Sequence, residues 1–360
     1  MTPRTVGVIG GGIIGRAVSL ACLDRGLAVT LFDTREPGES SPAGAGMLAP
    51  AMEADGSPAE RLCIVGRDLW PAYLAKLSHR SSVRVALNRD GILALAHDEA
   101  ERARRVGQAD SDTEWIDPAR DAQRLVALEP GLRAPFGARL LKFDGAVDNV
   151  ALLAALDDVL SRARGLTRAG PARGLARIVA GVRVECTDGA AHDVATAVVA
   201  NGAWAPRLRG LPRSLAVEPV RGEMLGFPVA AARHAIYGPG AYVVPRPGGR
   251  TIVGATMDRV GFDAATTDSA RHALHAAVAR FLPALSEVEP DSHWAGLRPV
   301  TPDGLPILGP DPLWPAVIHA TGHSRNGILL APLTAAVVSA WASGEEPGLD
   351  LSPFDPVRFG

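Results

Sequence analysis

Residues 4 to 33, RTVGVIGGGIIGRAVSLACLDRGLAVTLFD, leave the chain few folds to adopt. Thr5 to Ile9 is a short apolar run closed by glycine, which reads as a buried strand. Gly12 to Arg25 reads as a helix, and Ala28 to Phe32 as a second buried strand. Between the first strand and the helix stands Gly10-x-Gly12-x-x-Gly15. In such a turn the first glycine makes the tight bend, the second lets backbone approach a pyrophosphate, and the third lets helix and strand pack closely. Asp33 ends the second strand, where an acid can accept hydrogen bonds from a ribose hydroxyl. Strand, turn, helix, strand and acid are in register, so the unit predicts a bound dinucleotide. The triplet leaves NAD and FAD both open.

The whole chain narrows the classes further. Its 360 residues suffice for about two domains. A net charge of −2 gives no electrostatic case for nucleic acid or a membrane surface. Of 37 basic residues only Lys76 and Lys142 are lysine, so a functional arginine must be argued from its neighbours. Cys22, Cys63 and Cys186 lack metal-ligand spacing, and an odd number makes no disulfide framework. No metal is expected. There is no charged leader with a cleavage site and no apolar run of about 18 residues, so a cytoplasmic protein without a membrane span is expected.

Ser40 to Met47 is a small-residue loop, and Pro58 to Ser78 reads as a helix with Trp70 and Tyr73 in the core. Arg84 to His97 alternates around Arg89-Asp90-Gly91 and predicts a hairpin. Helices follow at 98–106 and 117–128, then one capped by Asp148 or Asn149 that runs to about Arg164. Strand signals dominate 176–204, 214–227, 241–257, 293–309 and 317–321, and a helix covers 269–281. The β-rich pieces interrupt the α/β pattern. This predicts an α/β fold: a discontinuous Rossmann-like domain (1–83, 141–213 and 296–360) with an inserted α+β substrate domain (84–140 and 214–295).

Residues 322 to 341, GHSRNGILLAPLTAAVVSAW, pose a separate question. So dense an apolar run predicts a buried helix, yet it opens on a cation and two hydrogen-bonding side chains rather than on a carboxylate. A helix start without an acid suits an anionic ligand.

Three pieces together resemble the flavin-dependent D-amino-acid oxidase superfamily, most closely its glycine oxidases of thiamine biosynthesis. They are VGVIGGGIIG, SSPAGAGMLAP, and the pair WAGLRPVTPDGLPILG and ATGHSRNGILLAP. The strand-like GAYVVPRPGGRTIVGATM is similar to that family's substrate domain. The resemblance implies FAD on Gly10, Gly12, Ile13, Ile14 and Gly15, with Asp33 and Thr34 at the adenosine end and backbone near Ala172 at the adenine. Ser40, Ser41, Ala45, Gly46 and Met47 would lie along the cofactor, with Gly202 in the small-residue turn that follows the buried strand ending near Ala200. His323, Ser324, Arg325, Asn326, Gly327, Ile328 and Leu329 would wrap the flavin pyrimidine edge, with backbone N–H groups at Asn326 to Leu329 stabilising reduced flavin. Covalent relatives use a cysteine near GLRP; this chain has none there, so FAD is expected to be noncovalent.

At the substrate end the resemblance implies a carboxylate held by Arg298, the residue type suited to bidentate contact. Tyr242 and Arg325 are further candidates for the reaction, and Met257, Met47 and Ala49 for the pocket wall. Ser324, where relatives often carry an aromatic residue, and Gly240, where they carry a larger polar one, both suggest a wider pocket. The implied reaction is oxidative deamination of glycine, with sarcosine or small D-amino acids as further substrates. It gives an imine, then the 2-oxo acid, ammonia and hydrogen peroxide, and serves thiamine thiazole synthesis. Molecular oxygen is the expected acceptor. A broader D-amino-acid or N-methyl-amino-acid oxidase or dehydrogenase with another acceptor is the near alternative. An NAD-dependent dehydrogenase and a flavin-binding scaffold without turnover are more distant ones. A homo-oligomer is left open.

Overall fold

The computed structural model describes residues 4–53, 56–108 and 111–359. Six strands form the first sheet, in the order Ile307–Asp311, Trp314–Thr321, Thr196–Val199, Thr5–Ile9, Ala28–Phe32, Leu166–Ala169. All neighbours are parallel except the first pair. Parallel sheets need cover on both faces, and the apolar strands supply it by alternation. Val6, Val8, Val29 and Leu31 pack against the helices Ile13–Asp24, Asn149–Ser161 and Gly327–Ser343. Ile9, Phe32, Ala197 and Val199 point the other way, onto a small antiparallel sheet built from Ala172–Ile178, Gly181–Cys186 and Ala191–Val194. The expected Rossmann-like unit is therefore present.

A second sheet has eight strands, in the order Ser292–Val300, Glu218–Phe227, Arg250–Gly254, Ala241–Arg246, Ala235–Gly238, Ile92–Leu95, Ala138–Leu141, Thr113–Ile116. Only Ala235–Gly238 and Ile92–Leu95 run parallel to each other. Leu93, Leu95, Leu225, Phe227, Ile236, Val243 and Val253 face the helix Asp268–Phe281. Their alternates Ile92, Ala94, Met224, Tyr237, Tyr242 and Val244 gather on the opposite face with Ala45 and Ala49. That second face turns toward the Rossmann-like unit and carries the candidate substrate residues.

Several sequence expectations are corrected. Residues 58–78 are two helices, Pro58–Asp68 and Trp70–Ser78, which share Leu69 as cap. Pro71 has no N–H to continue the ladder across the joint. The segment 84–97 is not a hairpin: Leu87–Asn88 pairs with Gly145–Val147, whereas Ile92–Leu95 enters the large sheet. All four residues of Ile92–Leu95 are buried, a demand only an interior strand with both faces covered can meet. The helix read at 117–128 begins only at Ala122, because Asp117 Oδ1 accepts from the N–H groups of Ala119 (3.0 Å) and Arg120 (3.3 Å) and holds a turn there. Residues 293–309 split between the two sheets around a turn in which Leu305 N–H donates to Asp303 Oδ1. One strand, Ser292–Val300, crosses the 295/296 division drawn from the sequence. Thr113–Ile116, Leu166–Ala169 and Ala235–Gly238 are strands without a predicted counterpart.

Candidate active site

A cavity of about 690 Å³ runs between the two sheets, within the range of cofactor sites. Gly10 begins it. Its φ of +106° is open to glycine, its N–H donates to Phe32 O (2.8 Å), and a Cβ on Gly15 would stand 1.8 Å from its carbonyl oxygen. The first and third glycines are thus required by packing alone. Gly12 is not, since a Cβ there would meet only Ser41 Oγ, at 3.1 Å. It is spare room at a helix start whose N-cap residue supplies no side chain and whose first turn has no acid. Gly11, unnoticed in the sequence, is nearly as tight as Gly15: its N–H donates to Asp33 Oδ1 (2.7 Å), and a Cβ would lie 2.0 Å from Asp33 Oδ2.

The loop 40–47 folds over this turn. It contains one helical turn, Ser40–Ala43, and Ser41 Oγ accepts the Ile13 N–H at 2.9 Å. Gly296 lies under it, where a Cβ would come within 2.6 Å of Ala43 Cβ. Ile14, Thr34, Ser40, Ala45, Gly46, Met47 and Gly202 all border the cavity, as does Ala172 with its neighbours Pro171 and Thr187. Asn201 borders it as well, and its Oδ1 is buried without a partner. Such an atom is costly unless a ligand supplies a donor. Trp204 and Arg207 complete this side, tied to the opposite domain by Phe262, whose ring centre lies 3.4 Å from Arg207 Cζ.

The C-terminal helix starts at Gly327, later than expected, so Arg325 precedes it and is exposed at the cavity edge. Ser324 borders the cavity with a left-handed φ of 49°, and its N–H donates to Pro299 O (2.9 Å). The expectation of four flavin-directed N–H groups is corrected. Asn326 N–H is spent on His323 O (2.8 Å), and Leu329 does not border the cavity. Gly327 and Ile328 do, at a helix start without a capping side chain. His323 borders the cavity and is buried: its Nε2 sits 3.1 Å from Thr334 Oγ1, and burial pushes it down to about 3, so it stays neutral.

At the far end Arg298 and Tyr242 meet. Arg298 Nη1 donates to Thr256 O (3.0 Å), its side chain also hydrogen-bonds the Tyr242 hydroxyl, and the residue borders the cavity. Burial raises the Tyr242 hydroxyl above its ordinary range, so it remains a donor, while Arg298 opposes the shift. That hydroxyl now donates to Met224 Sδ (3.3 Å), a weak acceptor readily exchanged for a carboxylate oxygen. Gly254, in register with both Met224 and Tyr242, makes room: a Cβ there would stand 2.4 Å from Sδ and 2.5 Å from the hydroxyl. Met47, Ala49 and Met257 border the same end, Met257 from its exposed rim (64% exposed). Met224, Tyr237 and Gly222 belong there too, and the only sequence signal for them was a pair of isolated glycines in strand patterns. Gly240 does not border the cavity; it lies beside Arg280 and cannot widen it.

The residues present fit a flavin dinucleotide. The cavity joins a spare glycine cradle, an acid at the strand end, an orphaned amide oxygen and an uncapped helix start. The three cysteines are buried and free, and none borders the cavity. Among the described residues no helix is long and apolar enough to cross a membrane, and no group of acidic, histidine or cysteine side chains could hold a metal.

Known proteins agree with this geometry. The chain is 32% identical to the glycine oxidase of Pseudomonas aeruginosa, over 99% of both sequences. It is also 32% identical to the bifunctional protein ThiO/ThiG of Synechocystis, where it spans 99% of its own length but about half (54%) of the relative. The crystal structure of glycine oxidase from Geobacillus kaustophilus superposes with a TM-score of 0.90, at 31% identity and 99% coverage of each chain. The profile of the FAD dependent oxidoreductase (DAO) family matches residues 5–341. The chain belongs to that family.

Proposed function

We propose that the chain is an FAD-dependent glycine oxidase that converts glycine, and sarcosine or small D-amino acids, to the imine and then the 2-oxo acid. The observation that carries this is the Arg298–Tyr242 pair at the apolar end of the cavity. When bound, FAD supplies the two-electron oxidation; the chain's residues bind and orient. Arg298 holds the substrate carboxylate, and Tyr242, kept protonated, donates a second hydrogen bond. Met47, Met224 and Tyr237 line this end of the cavity and would exclude water around the α-carbon. Burial keeps His323 neutral, and in this reading it takes no part in proton transfer and the substrate amine arrives unprotonated. Oxygen is the acceptor in this reading, and the product serves thiamine thiazole synthesis. Three free, buried cysteines fit a reducing compartment, and we extend the proposal to the cytoplasm.

The test is an amine panel with the yellow holoenzyme: bleaching near 450 nm without air, and peroxide release in air. Glycine and sarcosine should bleach the flavin and yield peroxide. Bleaching without peroxide would replace oxygen by another acceptor, and no bleaching by any small amino acid would overturn the reading.

A further inference from the structure

Tyr242 and Arg246 lie four residues apart on one strand, so their side chains leave the same face of the sheet. Tyr242 borders the cavity, whereas Arg246 passes behind its wall. Its Nη1 donates to Val147 O (3.0 Å), and its Nη2 to Ala45 O (3.0 Å) and Asn149 Oδ1 (2.5 Å). Asn149, itself buried, passes the connection on, donating from Nδ2 to Ser41 O (2.8 Å) and Pro42 O (3.2 Å). Gly46 closes the tie: its carbonyl accepts Val147 N–H (2.8 Å), and a Cβ on it would lie 2.0 Å from Val147 O. The wall that borders the cavity from Ser40 to Met47 is thus fastened at Ser41, Pro42, Ala45 and Gly46 to one guanidinium and its neighbours.

All three acceptors of Arg246 are neutral. Among the described residues no carboxylate is in ion-pair contact with it, and the acid that acts on it, Asp148, spends Oδ1 on the N–H groups of Val150 and Ala151. Burial works against its charged form. A partly buried cation without a carboxylate is unfavourable, and neutral acceptors could be satisfied by a neutral donor. The charge therefore has a use that the hydrogen bonds do not explain. An electron-rich flavin in the adjoining cavity is the group it would stabilise.

We propose that Arg246 is a positioning residue for the cofactor: it locks the Ser40–Met47 wall and sets behind it a positive charge, in contact with no carboxylate, that favours the electron-rich flavin. This rests on FAD filling the cavity, and the two fail differently, because FAD content is measured before anything else. Sulfite is the probe. Its lone pair forms a bond to flavin N5, and the displaced electron pair leaves negative charge on the pyrimidine edge. Removing the charge in Arg246→Met should weaken sulfite binding by about tenfold, about 1.4 kcal/mol, and lower the flavin midpoint potential. Arg246→Lys, which keeps the charge without the fork, should retain sulfite affinity within about threefold and lose FAD more readily. If Arg246→Met does not hold FAD, Arg246→Gln takes its place with the same expectation, since it can still donate to one of the oxygens. A neutral variant that keeps FAD and matches wild type in sulfite affinity and potential overturns the proposal. A lysine variant as weak as the neutral one overturns the role of charge.

Discussion

A methyl group added at Gly222 would stand 2.1 Å from Arg298 Nη1 and 2.5 Å from both Cζ and Nη2. Ordinary contact begins near 3.4 Å, so the guanidinium must retreat by more than 1 Å. Gly222 lies in a regular strand, with ladder partners across to Gly296 and no positive φ, so alanine suits its backbone. The crowded atoms are the far end of a flexible side chain. Gly222→Ala should therefore leave the fold intact and misplace one group. The displaced fork loses Thr256 O, now at 3.0 Å, and its alignment to a carboxylate. A hydrogen bond to a charged group is worth about 1.5–3 kcal/mol, or roughly ten- to a hundredfold in affinity. The assay is steady-state KM for glycine beside competitive glycolate binding read from the flavin spectrum, with melting temperature and FAD content as controls. Both constants should rise together while the controls hold. Arg298→Ala should cost as much alone, and the double variant little more, because both remove one contact. Unchanged KM and glycolate affinity in a folded, FAD-loaded Gly222→Ala protein would take Arg298 out of the substrate site.

The purified protein should carry FAD that acid or heat releases intact, since no cysteine borders the cavity; flavin retained on the denatured chain would contradict this. Gly11→Ala would push a Cβ into Asp33, 2.0 Å from Oδ2, and should cost at least about tenfold in FAD affinity by titration of apoprotein, whereas Gly12→Ala, which meets only Ser41 Oγ, should lower the apoprotein's melting temperature less than Gly11→Ala does. Asp144, 1% exposed and held by Arg67 Nη1 at 3.2 Å and Ala51 N–H at 3.2 Å, is raised by burial to about 6 from 3.8. The native state then holds a proton the unfolded chain has released between about pH 4 and 6, so this group's contribution falls by about 3 kcal/mol as pH rises through that window. Urea unfolding of Asp144→Asn should lack that slope relative to wild type, and parallel profiles would refute the shift.

What was legible in the sequence was local. The glycine turn needs only residues 5 to 33, and every piece is read from its neighbours: strand, φ-permissive turn, helix, acid. The substrate end is assembled from Gly222, Tyr237, Tyr242, Gly254 and Arg298, on five strands whose order in the sheet no local pattern encodes. Arg298 and Tyr242 were reached through resemblance, but their surroundings were not. The hairpin misreading has the same origin. Turn residues at 89–91 are a true local signal, yet the partners of Ile92–Leu95 lie at 138–141 and 235–238. The C-terminal helix start was legible as an uncapped end, whereas the commitment of Asn326 N–H to His323 O depends on where the chain bends, at Gly322 (φ +72°) and Ser324.

The register of the large sheet turns three scattered glycines into a description of its working face. Gly222 stands opposite Gly296, and Gly254 stands opposite Met224 on one side and Tyr242 on the other. Each admits an approach from a neighbour: Arg298 at Gly222, both the Tyr242 hydroxyl and the Met224 sulfur at Gly254, and the Ala43 turn at Gly296. Glycine in a strand interior gives up packing and conformational entropy, so three of them on adjoining strands weaken the sheet where it faces the cavity. The loss is tolerated because what fills the space is a guanidinium, a hydroxyl and the cofactor loop. The groups that approach Gly222 and Gly254 are therefore held from behind by backbone rather than by other side chains. Two of them, Arg298 and Tyr242, can exchange their present partners, Thr256 O and Met224 Sδ, for a substrate without moving the sheet.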